Sequence, residues 1–272
     1  MKKVVVIGDI TEEKRQEFLA IPDTNFLFLR AGEADADELK GASVIIGEVG
    51  AELLKEYLAL DDESKTGKNG HKGHQKLFNK PIILASASPR RRELLTKADI
   101  PFVVMPADVE EKISSAVPAE AAEEVSFQKA EFVAEKLIKE KKDSFIVLSA
   151  DTVVSVDGKI LGKPRDEEDA FNALKELQGR DHEVYTGVTI GIKHPEKDVI
   201  YRQFHEKTRV RVYPISDEQI REYVSTGEPL DKAGSYAIQG VFAKYIKSIK
   251  GDYNNVVGLP VGRVFKELKQ YT

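Results

Sequence analysis

No cysteine occurs among the 272 residues, so the chain has no disulfide framework, no thiol nucleophile and no thiolate metal site. Long hydrophobic runs are missing too: the apolar stretch after Lys3 stops at Gly8-Asp9, too short for a signal peptide or a membrane span. An excess of positive charge is also absent. With 41 Lys and Arg against 46 Asp and Glu the net charge is −5, which argues against the broad basic face that nucleic acid requires. Repeats and low-complexity tracts do not occur. What remains is the expectation of a cytoplasmic globular protein that engages neither nucleic acid nor membrane, and whose basic residues serve small anions. At 41% hydrophobic and 32% charged the chain can bury one large core or two smaller ones.

Three consecutive arginines stand in Ile82-Ile83-Leu84-Ala85-Ser86-Ala87-Ser88-Pro89-Arg90-Arg91-Arg92-Glu93-Leu94-Leu95. Ile82 to Leu84 reads as a buried strand, Ser88 as an N-cap and Pro89 as the first helical residue. A helix N-terminus carries partial positive charge and unpaired N–H groups, so three arginines in its first turn are unfavourable unless an anion meets them. Phosphate fits, with Ser86 and Ser88 adding hydroxyl donors. Successive helical residues point about 100° apart, so at most two of the three arginines can face one ligand. A solvated basic turn is the competing reading of this stretch alone.

Before it, Lys3 to Ile7, Thr24 to Leu29 and Val44 to Ile46 read as strands. They alternate with helices over Thr11 to Leu19, Asp35 to Lys40 and Ala51 to Leu58, a small parallel α/β unit spanning 1–60. Gly8-Asp9-Ile10 lacks the glycine fingerprint of a dinucleotide site. This unit faintly resembles the start of the substrate-side domain of D-2-hydroxyacid dehydrogenases, but stops before anything catalytic. Residues 61–80, polar and glycine-containing, read as a linker. His71 and His74 within it are flanked by glycines that oppose the helix a metal pair would need.

From 81 to 272 a second domain is expected. Its strands are Phe102 to Met105, Phe145 to Leu148, Glu183 to Ile192, Val199 to Tyr213 and Val241 to Ile249, with a hairpin from Val153 to Leu161 turning at Asp157-Gly158. Helices are expected over Glu120 to Lys139, from Asp166 to Leu177, from the Ser216/Gln219 capping box to Val224, and over Val261 to Leu268. The chemistry-bearing residues are the arginine turn, carboxylates after strands (Asp151, and Glu110 or Glu111), and Lys129, Lys163 and Lys232. That set suits phosphoanhydride hydrolysis: a hard divalent cation takes carboxylate and phosphate oxygens, cationic side chains neutralise the remaining charge, and a carboxylate activates water.

The arginine turn, Ser149-Ala150-Asp151-Thr152-Val153-Val154, Gly162-Lys163-Pro164-Arg165, Thr186-Gly187-Val188, Gly227 to Gly234, Ile238-Gln239-Gly240 and Gly251 to Pro260 together resemble the Maf family of nucleotide pyrophosphatases, in order, from 81 to about 269. The resemblance implies a mixed-sheet α/β fold related to the inosine triphosphate pyrophosphatases, a cleft between two lobes, and usually a homodimer. It implies cleavage of nucleoside triphosphates to monophosphate and pyrophosphate with Mg²⁺ or Mn²⁺. By position it makes Asp151 the proton acceptor and, with Glu111, a metal ligand. It places Ser86, Arg90, Lys129 and Lys163 on phosphate, and Arg90, Thr152 and Gln239 at specificity positions. Members with Pro-Arg-Arg, Ala-Asp-Thr and Ile-Gln-Gly act on dTTP and UTP, whereas the branch acting on 7-methyl-GTP differs there. The alternatives are modified pyrimidine or 7-methyl-guanosine nucleotides as substrates, or a nucleotide-sensing regulator of cell division. The first 80 residues have no counterpart in the family pattern.

Overall fold

The apolar runs become strands of a single mixed sheet. A computed structural model of the chain describes residues 2–7, 12–19, 24–29, 44–47 and 81–271. Its strands are β1 (Lys2–Ile7), β2 (Thr24–Leu29), β3 (Val44–Gly47), β4 (Ile82–Leu84), β5 (Phe102–Val104), β6 (Phe145–Val156), β7 (Lys159–Leu161), β8 (Asp181–Lys193), β9 (Ile200–Val212) and β10 (Ile246–Lys250). The helices are α1 (Glu12–Leu19), α2 (Pro89–Lys97), α3 (Pro118–Lys139), α4 (Glu167–Leu177), α5 (Asp217–Val224), α6 (Tyr253–Val257) and α7 (Val261–Leu268). Strand order is β10-β9-β8-β6-β4-β5-β3-β1-β2, with β7 paired to β6. From β6 to β2 every pairing is parallel, and from β6 to β10 every pairing is antiparallel. The sheet therefore changes character at β6, the strand that carries Asp151.

The sequence suggested a break in β6 at the polar residues Ser149 to Thr152; the structure has one continuous strand. Its polar side chains find partners, Ser149 Oγ donating to the Ser126 carbonyl of α3, and β8 pairs with it from Phe145↔Lys193 to Ser155↔Glu183. On the other side β4 ends at Leu84, opposite Leu148. The second half of β6 thus runs past the carboxyl end of a parallel neighbour, the place where α/β sheets open a ligand crevice.

Two further expectations change. Ser88 stands at the N-cap of α2, but its hydroxyl makes no capping bond. The strand expected over Val241 to Ile249 is a 3₁₀ turn over Val241–Tyr245 followed by a shorter β10, because the Glu228 carboxylate accepts from the Val241 N–H at 3.0 Å. The caps of α4 and α5 form as expected, on Asp166 and on the Ser216/Gln219 box.

The N-terminal strands are parallel, and β3 joins β5 through Val44↔Phe102 and Ile45↔Val103. The expected helices over Asp35 to Lys40 and Ala51 to Leu58, the Thr11 cap, Gly8 to Ile10 and the linker 61–80 lie outside the described residues. Within the rest, Leu84, Leu95, Phe102 and Leu148 are wholly buried between sheet and helices. No helix among the described residues is long and apolar enough to cross a membrane.

One buried titratable group gives the fold a pH signature. His182, at the start of β8, is 2% exposed, and burial drives its pKa from 6.5 down to about 4 against a weaker opposing pull from Asp181. The native state keeps the ring neutral while the unfolded chain protonates near 6.5. This contribution is therefore fully present above pH 6.5 and is lost as pH falls from there to about 4, a change of roughly 3 kcal/mol. Urea unfolding at pH 7 and at pH 4.5 should show the wild type losing about 2–3 kcal/mol more over that step than His182→Gln. Equal losses in the two proteins would contradict it.

Candidate active site

A glycine in β8 sets the distance between sheet and helix. Gly187 is the register partner of Asp151, and directly opposed residues of antiparallel strands present their side chains on one face. A Cβ at Gly187 would lie 2.3 Å from the carbonyl carbon of Ala122 in α3, so a side chain there cannot coexist with the helix in this position. With none, α3 settles against the sheet, tied also by Ser126 Oγ to Thr189 Oγ1 at 2.8 Å. Seven residues on from Ala122, on the same helix face, Lys129 reaches Asp151.

Lys129 Nζ lies 2.8 Å from Asp151 Oδ1 and 2.8 Å from Glu111 Oε1, with its side chain only 14% exposed. Glu111 arrives on the loop after β5, and α3 holds that loop as well. Lys112 N–H donates to Gln128 Oε1 at 3.0 Å, Gln128 Nε2 returns a bond to the Lys112 carbonyl at 2.6 Å, and Ser114 binds the Glu124 carboxylate through N–H and Oγ. One helix thus places both the ammonium and one of the two carboxylates. Burial works to raise the Glu111 pKa, but the hydrogen bond and charge of Lys129, with Lys163 and Arg91 beyond, outweigh it and hold the carboxyl below its usual range. Among the described residues Asp151 Oδ2 has no hydrogen-bond partner, whereas Oδ1 is held by Lys129.

The first turn of α2 borders the same cleft. Arg91 is buried, and its guanidinium donates to the Gly258 carbonyl at 2.8 Å, to Ser86 Oγ at 3.0 Å and to Thr152 Oγ1 at 3.3 Å. Gly258 has φ +128°, a backbone that L side chains rarely adopt, and this turns its carbonyl to the arginine. Ser86 Oγ accepts from both Arg91 and the Ser88 N–H at 3.3 Å, which leaves its one proton to donate to an anion. Thr152 belongs to a buried relay: Thr186 donates to the Asn255 carbonyl at 2.9 Å, so Thr152 Oγ1, 2.9 Å from Thr186 Oγ1, is the donor to it while accepting from Arg91. Arg90 borders the cleft and makes no hydrogen bond or ion pair among the described residues, whereas Arg92 is absent from the lining. Two of the three arginines face the site, as the helical spacing requires.

The far end of the cleft is the segment from Tyr236 to Gln239, clamped from beneath. Tyr236 Oη is 2.8 Å from His182 Nε2, the Ala237 N–H donates to Tyr223 Oη at 3.2 Å, and Tyr223 Oη donates to Glu228 at 2.7 Å. Gln239 is exposed on this fixed loop, and its amide is without a partner among the described residues. Lys163 and Lys232 also line the cleft, Lys232 being held by the Glu228 carbonyl at 2.7 Å. Ser86, Arg90, Glu111, Lys129, Asp151, Thr152, Lys163 and Gln239 all border a single cavity of about 640 Å³, within the range of small-molecule sites. Glu110 does not border it.

Arg91 is the residue that sequence reasoning left unranked. Its spacing admitted it to the site, but the partner that buries it, Gly258, lies 167 residues away. Two carboxylates within reach of one ammonium form a hard-oxygen set that suits Mg²⁺ or Mn²⁺, which combine one or two carboxylates with phosphate and water. Among the described residues no group of three His, Cys, Asp or Glu converges, so phosphate and water would complete such a sphere.

A family model described as Maf-like protein matches residues 81–271. The chain is 51% identical to the dTTP/UTP pyrophosphatase of Carboxydothermus hydrogenoformans, over 70% of this chain and 98% of that protein. It is 49% identical to the dTTP/UTP pyrophosphatase of Agathobacter rectalis, over 70% of this chain and 96% of that protein. Among solved structures the Staphylococcus aureus Ham1 protein is weakly similar, with a TM-score of 0.38 and 14% identity over 71% of this chain and 100% of its own.

Gly187→Ala tests the helix placement. The added methyl meets backbone at 2.3 Å, so α3 must withdraw, at a cost of about 1–3 kcal/mol. Turnover should fall by about 10-fold or more as Lys129 and Glu111 move with the helix. Wild-type urea stability together with wild-type turnover would refute the link.

Proposed function

The chain belongs to the Maf-like family, and from that premise we propose that it hydrolyses dTTP and UTP to the monophosphate and pyrophosphate with a divalent cation. The observation that carries this reading is the pairing of Asp151 and Glu111 around Lys129, bordering one cavity with an arginine-rich helix start. The names of the relatives at about half identity support the pyrimidine triphosphates.

In this reading the triphosphate lies along the first turn of α2. Ser86 donates its free proton, Arg90 and Lys163 bring positive charge, and the helix N-terminus adds its partial charge. Arg91 does not reach out; it holds Ser86, Thr152 and the Gly258 turn in one arrangement. Asp151 Oδ2 takes the proton of the attacking water. Asp151 and Glu111 would hold a divalent cation, which would supply charge neutralisation at the phosphates. No covalent nucleophile is required. At the other end Gln239 offers an amide donor and acceptor to a pyrimidine edge, and Thr152 and Arg90 shape the wall beside it.

The family match supports residues 81–272 as the catalytic domain, with 61–80 as a linker and 1–60 as an added α/β unit. The resemblance supports a homodimer, and the acidic net charge supports a nucleotide rather than a nucleic-acid partner.

Pyrophosphate release measured on a panel of nucleoside triphosphates with Mg²⁺ and Mn²⁺ tests the assignment; turnover confined to purine triphosphates would overturn it. Asp151→Asn, nearly isosteric but unable to take the proton, should lower kcat by about 100-fold or more, and near-normal kcat would remove Asp151 from the chemistry. Gln239→Ala should lower kcat/KM for dTTP and UTP by about 10-fold or more relative to the other triphosphates. An equal loss across the panel would show that the amide does not read the base.

A further inference from the structure

Lys129 stands in two roles that exclude one another. Its ammonium is 2.8 Å from both Asp151 Oδ1 and Glu111 Oε1, the carboxylates assigned to the divalent cation, and the same ammonium is assigned to substrate phosphate. A cation bonded to both oxygens at about 2.1 Å cannot lie much more than about 4 Å from Nζ, so the two positive centres compete for one pair of anions. The carboxylates do not need the cation in order to stay paired: the Lys112–Gln128 and Ser114–Glu124 bonds hold the Glu111 loop to α3, and Asp151 is fixed in β6. Lys129 is the mobile member, a flexible stem carrying three donors, rooted in a helix whose place is set by Gly187.

We propose that Lys129 is a built-in counter-ion for the carboxylate pair, which it surrenders to the divalent cation by moving onto substrate phosphate, so that nucleotide and cation binding favour each other. The proposal rests on the reading of Asp151 and Glu111 as cation ligands. Until nucleotide arrives, the ammonium has no second anion and opposes the cation. Once phosphate is in the cleft, the lysine exchanges partners, and the positive charge that obstructed the cation now binds the substrate. By linkage the coupling is reciprocal.

The test is Mn²⁺ binding to the full chain without nucleotide, followed by electron paramagnetic resonance, for the wild type, Lys129→Met and Lys129→Gln. Both variants should bind Mn²⁺ alone about 5- to 10-fold more tightly than the wild type, because a unit positive charge beside the site has gone. The same variants should bind a UTP analogue with an α,β-imido bridge, in metal-free buffer, about 10-fold more weakly. A lysine that only binds phosphate would weaken the analogue and leave Mn²⁺ affinity unchanged; that result, or weaker Mn²⁺ binding, overturns the proposal. If instead Asp151→Asn binds Mn²⁺ as the wild type does, the cation site itself is wrong and the exchange falls with it.

Discussion

The site depends on one ammonium between two carboxylates. Lys129, Asp151 and Glu111 come from a helix, a strand and a loop, yet a single packing relation governs all three: α3 resting on Gly187. The helix that carries the lysine also binds the loop that carries Glu111, and the glycine that admits the helix is the register partner of Asp151. Charge alone would hold such an arrangement poorly near solvent. Close packing and backbone hydrogen bonds fix the two carboxylates and the helix that roots the lysine.

A second fixed element borders the same cleft. Arg91 is buried, and Ser86, Thr152 and the Gly258 turn converge on its guanidinium. Burial lowers its pKa while nearby Asp151 opposes that shift; an arginine keeps its charge under both influences. The two halves therefore divide the work. One presents the carboxylates and Lys129, and the other presents a serine proton and Arg90 on a frame that Arg91 holds still.

Much of this was legible in the chain. Three arginines at a helix start suggested an anion site because local electrostatics disfavours them there, and two of them line the same cleft as Asp151, the residue that follows an apolar strand. The continuity of β6 was hidden, since Ser149 to Thr152 read as a polar break until their partners on α3, α2 and β8 were in place. The rank of Arg91 was hidden for a similar reason: a helix start cannot reveal which arginine will be buried by a carbonyl 167 residues away. Gly187 stood in a recognised motif, but only the approach of Ala122 gives the glycine its physical meaning. The N-terminal strands read as a small parallel unit from their spacing, while the pairing of β3 with β5, two residues long in register, left no pattern in the sequence.

In the proposed reaction this cleft breaks a nucleoside triphosphate between its α and β phosphates. Phosphorus NMR of UTP incubated with the full chain and Mg²⁺ tests it most directly. The account predicts UMP and pyrophosphate appearing together in equal amounts; UDP with inorganic phosphate would contradict it.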